Sequence, residues 1–167
     1  MSIAANRKEE NYLKYSQLLQ NPDYIDVIFD EQSGGVSAIH IQHKFDKSLS
    51  PWGVRRGDYE LYVVNLLRSL GYVIILLPEN GGIFQKRCDC VIDGIAAEIK
   101  TIESNGRWAV RTKILYFANP QLFSAPRIIE GWRMYEEIRR KRENWKSISE
   151  IIAIAGAEIC KIIKPSG

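Results

Sequence analysis

The sequence predicts an α/β (α+β) domain with a central mixed β-sheet flanked by helices. Three observations predict it. Short Val/Ile-rich runs recur along the chain, at 24–29, 36–41, 89–92 and 95–101 and twice more near the C-terminus. Two other segments, 6–20 and 58–70, carry apolar residues at helical spacing. Tyr72 to Leu77 is an uninterrupted apolar run, the pattern of a strand buried on both faces. Helices interspersed with strands build layered folds rather than all-helical or all-β ones. The chain of 167 residues has the length of one compact domain, so 1–167 is read as a single unit with a helical appendage over 1–22.

The elements follow in order. Residues 6–20 form a polar helix with Leu13, Leu18 and Leu19 as its modest apolar side, and Pro22 follows its end. Tyr24 to Phe29 and Val36 to Ile41 are β-rich runs around the segment DEQSGG, a hairpin or wide turn. Residues 43–57 are loop, punctuated by Pro51, Gly53 and Gly57. Asp58 to Leu70 is the best helix, with Leu61, Val64 and Leu67 at helical spacing and Gly71 as its stop. After the buried strand and the loop PENGG, two strands meet at Asp93-Gly94, the strongest short-range hairpin signal. Residues 107–118 read as helix up to Pro120, although Trp108, Val110 and Tyr116 also suit a strand. Residues 127–143 read as a long charged helix, and IIAIAG and AEICKII as two closing strands.

Composition excludes several classes. With 46% hydrophobic and 26% charged residues the chain is neither disordered, collagen-like nor coiled coil. Its longest apolar run falls far short of the ~20 residues of a membrane-spanning helix, and residues 1–10 hold no stretch of signal-peptide length. Cys88, Cys90 and Cys160 are an odd number, two of them one residue apart, so a disulfide scaffold or zinc site is not expected and a reducing cytoplasmic setting is. The net charge of +3 is modest, but residues 1–99 hold ten basic and thirteen acidic residues while 100–167 hold thirteen basic and seven acidic. The densest basic run, Arg139 to Arg142, lies among Trp132, Tyr135 and Trp145. Cations interleaved with rings suit a nucleic-acid surface. On this run alone a solvated helix face is the better reading, because Glu136 and Glu137 each stand four residues ahead of Arg140 and Lys141.

The chemistry concentrates in CDCVIDGIAAEIKT, residues 88–101. A two-residue loop at Asp93-Gly94 sets Ile92 opposite Ile95 and Asp89 opposite Glu98, with Cβ atoms ~5 Å apart on one face. Alternation puts Lys100 on that face and sends Ala97, Ile99, Cys88 and Cys90 to the other. Two carboxylates so placed repel by about 3 kcal/mol at an effective dielectric of 20. A divalent cation offsets this, and oxygen donors suit Mg²⁺ or Mn²⁺. Glu60 stands i, i+4, i+7 with Val64 and Leu67, at the head of the inward stripe of its helix, where an acid needs a partner. It also suits the helix dipole as an ordinary first-turn glutamate. The residues thus read as a metal site, with a salt-bridged structural hairpin as the alternative. His40 and His43, the two histidines of the chain, read as polar residues ending a strand, or as phosphate contacts or a proton-transfer pair.

The pattern of a helix bearing Glu, a strand, and D-x(8)-E-x-K over residues 55–121 resembles the PD-(D/E)XK nuclease superfamily, with its restriction-endonuclease-like fold. Cys88 stands where the motif name has proline. The resemblance implies a catalytic core over 55–121 in which Asp89, Glu98 and Glu60 hold Mg²⁺ or Mn²⁺ and Lys100 is the catalytic lysine. The segments GGVSAIHIQHKFDK (34–47) and LLPENGG (76–82), with Ala118 to Gln121 as an A-x-x-Q, are similar to nuclease domains at the C-termini of contact-dependent inhibition and related polymorphic toxins. That implies an isolated toxin-type domain acting on tRNA or DNA in the target-cell cytoplasm, with a cognate immunity protein. Arg111, Lys113, Arg139 and Arg140 would contact the nucleic-acid backbone. Residues 56–72 also resemble the opening helix of archaeal Holliday-junction resolvases, which implies a symmetric homodimer cutting branched DNA. From a different class stands a non-catalytic nucleic-acid-binding or protein-binding module.

Overall fold

The structure is a computed structural model, and it describes residues 3–79, 88–101, 121–125, 150–155 and 158–163. The segments 107–118 and 127–143, and with them Arg111, Lys113, Arg139 and Arg140, lie outside the described residues. The fold is α+β with mixed strand pairing, as the sequence predicts. The chain divides into two compact units, Met1–Asp46 with Glu60–Ala96, and Lys47–Tyr59 with Ala97–Gly167.

In the first unit, helix α1 (Ile3–Gln20) leads into strand β1 (Tyr24–Phe29), which pairs antiparallel with β2 (Val36–His40). The turn between them is built on Asp30, whose carboxylate accepts the N–H groups of Gln32 and Ser33 at 3.0 and 2.8 Å. Those contacts, the Ser33 backbone bond foremost, hold its pKa below the usual value. Helix α2 (Arg56–Ser69) then connects β2 to β3 (Val73–Leu76), a parallel pair in the register Val36↔Val73 to Ile39↔Leu76. Strand β4 (Cys90–Ile92) runs antiparallel to β3. Ile74, Ile75 and Leu76 are all buried although alternate residues face opposite ways, so the uninterrupted apolar run is a strand covered on both faces.

Two helical stripes differ from the sequence expectation. On α1, Leu13 and Leu19 are exposed, and the inward line is the buried Asn11 and Leu18 with the half-buried Tyr15, Leu18 and Tyr15 packing on Val36, Ala38 and Ile75. The polar Asn11 hides the stripe because its amide donates to the carbonyls of Gly34 (2.8 Å) and Gly71 (3.4 Å). On α2, Leu61 is exposed, and Val63, Val64 and Leu67 are buried. The inward line therefore runs through Glu60, Val64 and Leu67, one helical position away from Leu61.

Asp93 (φ 47°) and Gly94 (φ 81°) turn the chain out of β4, the pair of left-handed residues that a type I′ turn needs. Asp93 is further pinned by accepting the Val73 N–H at 2.9 Å and the Arg7 guanidinium at 2.7 Å. Cys88 and Cys90 are in no disulfide, and Cys90 is fully buried.

In the second unit, β5 (Ile95–Thr101) pairs parallel with β6 (Gln121–Ala125), and β6 parallel with β7 (Glu150–Ala155). The last strand, β8 (Glu158–Ile163), returns antiparallel to β7. Strand β6 is not expected from QLFSA, a five-residue run too short to show a period. Ala97, Ile152 and Ile154 are buried here. Within 47–59, Leu49 bridges Arg55 and the Arg56 guanidinium holds Ser48 Oγ at 2.7 Å, which fixes the entry into α2. Among the described residues no helix is long and apolar enough to cross a membrane.

Candidate active site

A buried histidine gathers the polar groups of the first unit. The chain leaves β2 through a tight turn in which His43 N–H donates to the His40 carbonyl at 2.8 Å and Gln42 N–H donates to His40 Nδ1 at 3.1 Å. His40 remains partly exposed, edge-on to the Tyr24 ring at 5.4 Å between centroids, which matches a polar strand end. His43 does not match that description. Its side chain is only 5% exposed, stacked edge-to-face with Phe45 at 4.9 Å.

Two polar groups touch the His43 ring. Nδ1 lies 2.7 Å from the carbonyl oxygen of Leu77, just past the end of β3. A carbonyl oxygen only accepts, so Nδ1 carries the hydrogen. Nε2 lies 3.2 Å from Oε1 of Glu60, whose side chain is 16% exposed. The approach is off the line of a hydrogen bond, and Nε2 is left without one. Burial works against a charge on the ring. The adjoining Glu60 carboxylate, the Leu77 carbonyl and the charge of Asp89 together outweigh it and hold the His43 pKa above 6.5.

Leu77 also positions Asp89. Its N–H donates to the Asp89 carbonyl at 2.9 Å, so the residue that fixes His43 from one side anchors the backbone of Asp89 from the other. Asp89 stands one residue ahead of β4 rather than inside it, a shift from the expected strand 89–92. Glu60 faces inward from α2 as its spacing predicts, and its partner is His43, which the sequence leaves as a polar strand-end residue, a phosphate contact or half of a proton-transfer pair.

Glu98 and Lys100 belong to the second unit. They stand two residues apart on β5, in register with Gln121 and Phe123 of β6. Among the described residues no three His, Cys, Asp or Glu side chains form a tight metal-binding cluster.

No family model matches the chain, and no curated protein matches it in sequence. Its fold is similar to that of a chain in the CdiA-CT/CdiI toxin and immunity complex from Burkholderia pseudomallei, with a TM-score of 0.54 and 15% identity over 77% of this chain and 99% of that one. At that identity the likeness is one of fold, an α+β fold found in a toxin and immunity complex.

Proposed function

We propose that the chain is a metal-dependent endonuclease of toxin type that hydrolyses phosphodiester bonds in tRNA or DNA. The observation that carries this reading is Glu60, an acid drawn inward on α2 beside a buried histidine that also feels the charge of Asp89. Inward acids with so little solvent are costly unless a cation or proton occupies their site. The E-x-K of β5 and the D-x(8)-E spacing add the remaining members of a PD-(D/E)XK set.

In this reading Glu60, Asp89 and Glu98 hold Mg²⁺ or Mn²⁺, and the bound ion supplies neutralisation of the charge that develops on the phosphate. Lys100 orients the attacking water and stabilises the negative charge of the pentacovalent transition state. Arg111, Lys113, Arg139 and Arg140 hold the nucleic-acid backbone. The fold likeness to a chain of a toxin and immunity complex supports a toxin restrained by a cognate immunity protein and acting in the cytoplasm of a target cell.

The test incubates the purified chain with total tRNA and with plasmid, linear and branched DNA, each with Mg²⁺, Mn²⁺ or EDTA, beside a Lys100→Ala variant. Metal-dependent cutting that is lost in the variant is the expected result, and the substrate cut names the class. Preference for branched DNA by a stable dimer would move the reading to a junction resolvase. No cutting of any substrate by the wild type would leave a binding module and overturn the proposal.

A further inference from the structure

Residues 47–59 form a small hydrogen-bonded loop that presents apolar side chains to water. Ser50, only 6% exposed, anchors it. Its N–H donates to the Val54 carbonyl at 2.8 Å, its carbonyl accepts the Gly53 N–H at 3.0 Å, and its hydroxyl meets the Tyr59 hydroxyl at 3.3 Å. Ser50 to Gly53 thus form a closed turn, with Pro51 presetting its second position and Gly53 leaving it at φ 76°. Below the turn Leu49 bridges Arg55, and the Arg56 N–H donates to the Ser48 carbonyl at 2.9 Å. Trp52, in the third position of the turn, is 52% exposed, and Leu49 and Val54 are exposed as well. A Cβ added at Gly53 would meet nothing within 4 Å, so among the described residues nothing packs against the tip there.

A scattered exposed apolar residue is ordinary, but Leu49, Trp52 and Val54 cluster on one defined turn. Cations stand among them. Leu49 and Arg55, directly opposed across the bridge, share a face, and both are exposed, as is Lys47. Lys47, Arg55 and Arg56 outnumber the one acid of the segment, Asp58. A lipid or apolar protein surface would have to bury the Arg55 charge along with Leu49. A nucleic-acid strand avoids that cost, because it offers a flat π face to the indole and phosphates to the cations beside it. In a duplex the base faces are already stacked on one another, so only an unpaired base can reach the ring. We propose that the 47–59 loop docks single-stranded nucleic acid, an unpaired base stacking on Trp52 while Arg55 and Lys47 hold neighbouring phosphates. The inference rests on the nucleic-acid reading above and names its substrate class, strands or loops with unpaired bases rather than continuous duplex.

The experiment follows the fluorescence anisotropy of labelled RNA and DNA oligonucleotides, each as a single strand and annealed to its complement, on the full chain in EDTA. Cutting with Mg²⁺ or Mn²⁺ is assayed on the same samples. The variants are Trp52→Ala, Trp52→Phe and Arg55→Ala, each checked for fold by circular dichroism. Single strands should bind more tightly than duplex, and the tighter of RNA and DNA names the source of the strand. Trp52→Ala should lose about fivefold to hundredfold in strand affinity, and Trp52→Phe should restore most of it. Arg55→Ala should make the salt slope shallower by about 0.7. Wild-type chain irradiated with a strand carrying bromouracil should cross-link in the peptide bearing Trp52, a readout that needs no variant to fold. Duplex bound as tightly as single strand, no strand binding, unchanged affinity in Trp52→Ala, or cross-links only elsewhere overturn the inference. So does binding to phosphatidylserine vesicles in place of strands, which would make the loop a membrane contact. If the wild type still cuts in any of these cases, the nuclease reading stands and the loop alone is lost. Strand binding through Trp52 without any cutting keeps the loop and removes the nuclease. Neither binding nor cutting of any nucleic acid overturns both.

Discussion

His43 donates its Nδ1 hydrogen to the Leu77 carbonyl at 2.7 Å, and this one bond decides what the rest of the ring can do. It fixes the tautomer, turns Nε2 toward Glu60, and ties the turn after β2 to the end of β3. The Leu77 N–H meanwhile donates to the Asp89 carbonyl, so two polar residues distant in sequence are held by the backbone of one residue. The predictions below follow from that arrangement and from the packing around it.

Stability in metal-free buffer should fall as the pH rises. The folded chain holds the His43 proton above the ordinary value of 6.5, because Glu60, Leu77 and Asp89 outweigh the cost of burial. A group with a raised folded pKa contributes its full stabilisation below the unfolded value and loses it as the pH climbs through the folded one. Urea midpoints measured from about pH 6 to about pH 9 with EDTA present should decline for wild type. The decline should be smaller in His43→Asn, and an unchanged profile in that variant would refute the assignment.

Glu60→Gln should act on the same titration from the other side. The amide keeps the shape of the side chain and removes the charge beside Nε2. The pH dependence of stability should flatten, and the double variant with His43→Asn should fall short of additivity by about 0.5–3 kcal/mol, the range for residues in contact. Divalent-ion affinity should drop in Glu60→Gln, read by calorimetry. Additive stability effects would mean that the two side chains do not interact.

Two glycines should respond very differently to alanine. At Gly35 an added Cβ would lie 1.9 Å from the Arg68 carbonyl oxygen, a backbone atom at the end of α2 that cannot swing aside. Gly35→Ala should therefore separate α2 from the start of β2 and cost about 3 kcal/mol or more, at the upper end of overpacking effects. At Gly94 nothing lies within 4 Å, and the only penalty comes from its φ of 81°. Gly94→Ala should cost about 1 kcal/mol. Thermal denaturation of the pair checks the order, and comparable losses would contradict it.

Much of this architecture is readable before any coordinates. The Asp93-Gly94 turn, the doubly buried run at β3, the closing pair β7 and β8, and the inward Glu60 all follow from local chemistry or from periodicity. What escapes is what long-range partners decide. Asn11 looks like a solvent residue until the carbonyls of Gly34 and Gly71 arrive to satisfy it. The sequence pattern accordingly sets Leu13 and Leu19 beside Leu18 on the inward stripe, where of the three only Leu18 is buried. His43 escapes for the same reason: its burial depends on Phe45, Glu60 and Leu77, and only the short spacing from His40 hinted at a turn that aims it inward. Strand β6 escapes because a short run gains its β-structure from the neighbours β5 and β7 and not from its own pattern.

The amide of Asn11 offers a last, sharp test of how α1 is attached. It donates to Gly34 ahead of β2 and to Gly71 behind α2, so one side chain links the helix to two chain reversals. Asn11→Ala removes the donor and leaves buried carbonyls without it, which should cost about 1–3 kcal/mol. Leu13, two positions along, is 64% exposed, and Leu13→Ala should stay within about 0.5 kcal/mol of wild type. Hydropathy alone would order the two variants the other way, since it ranks leucine as the core residue. Urea denaturation of both variants decides between them, and a larger loss at Leu13 would mean that α1 docks through a different face.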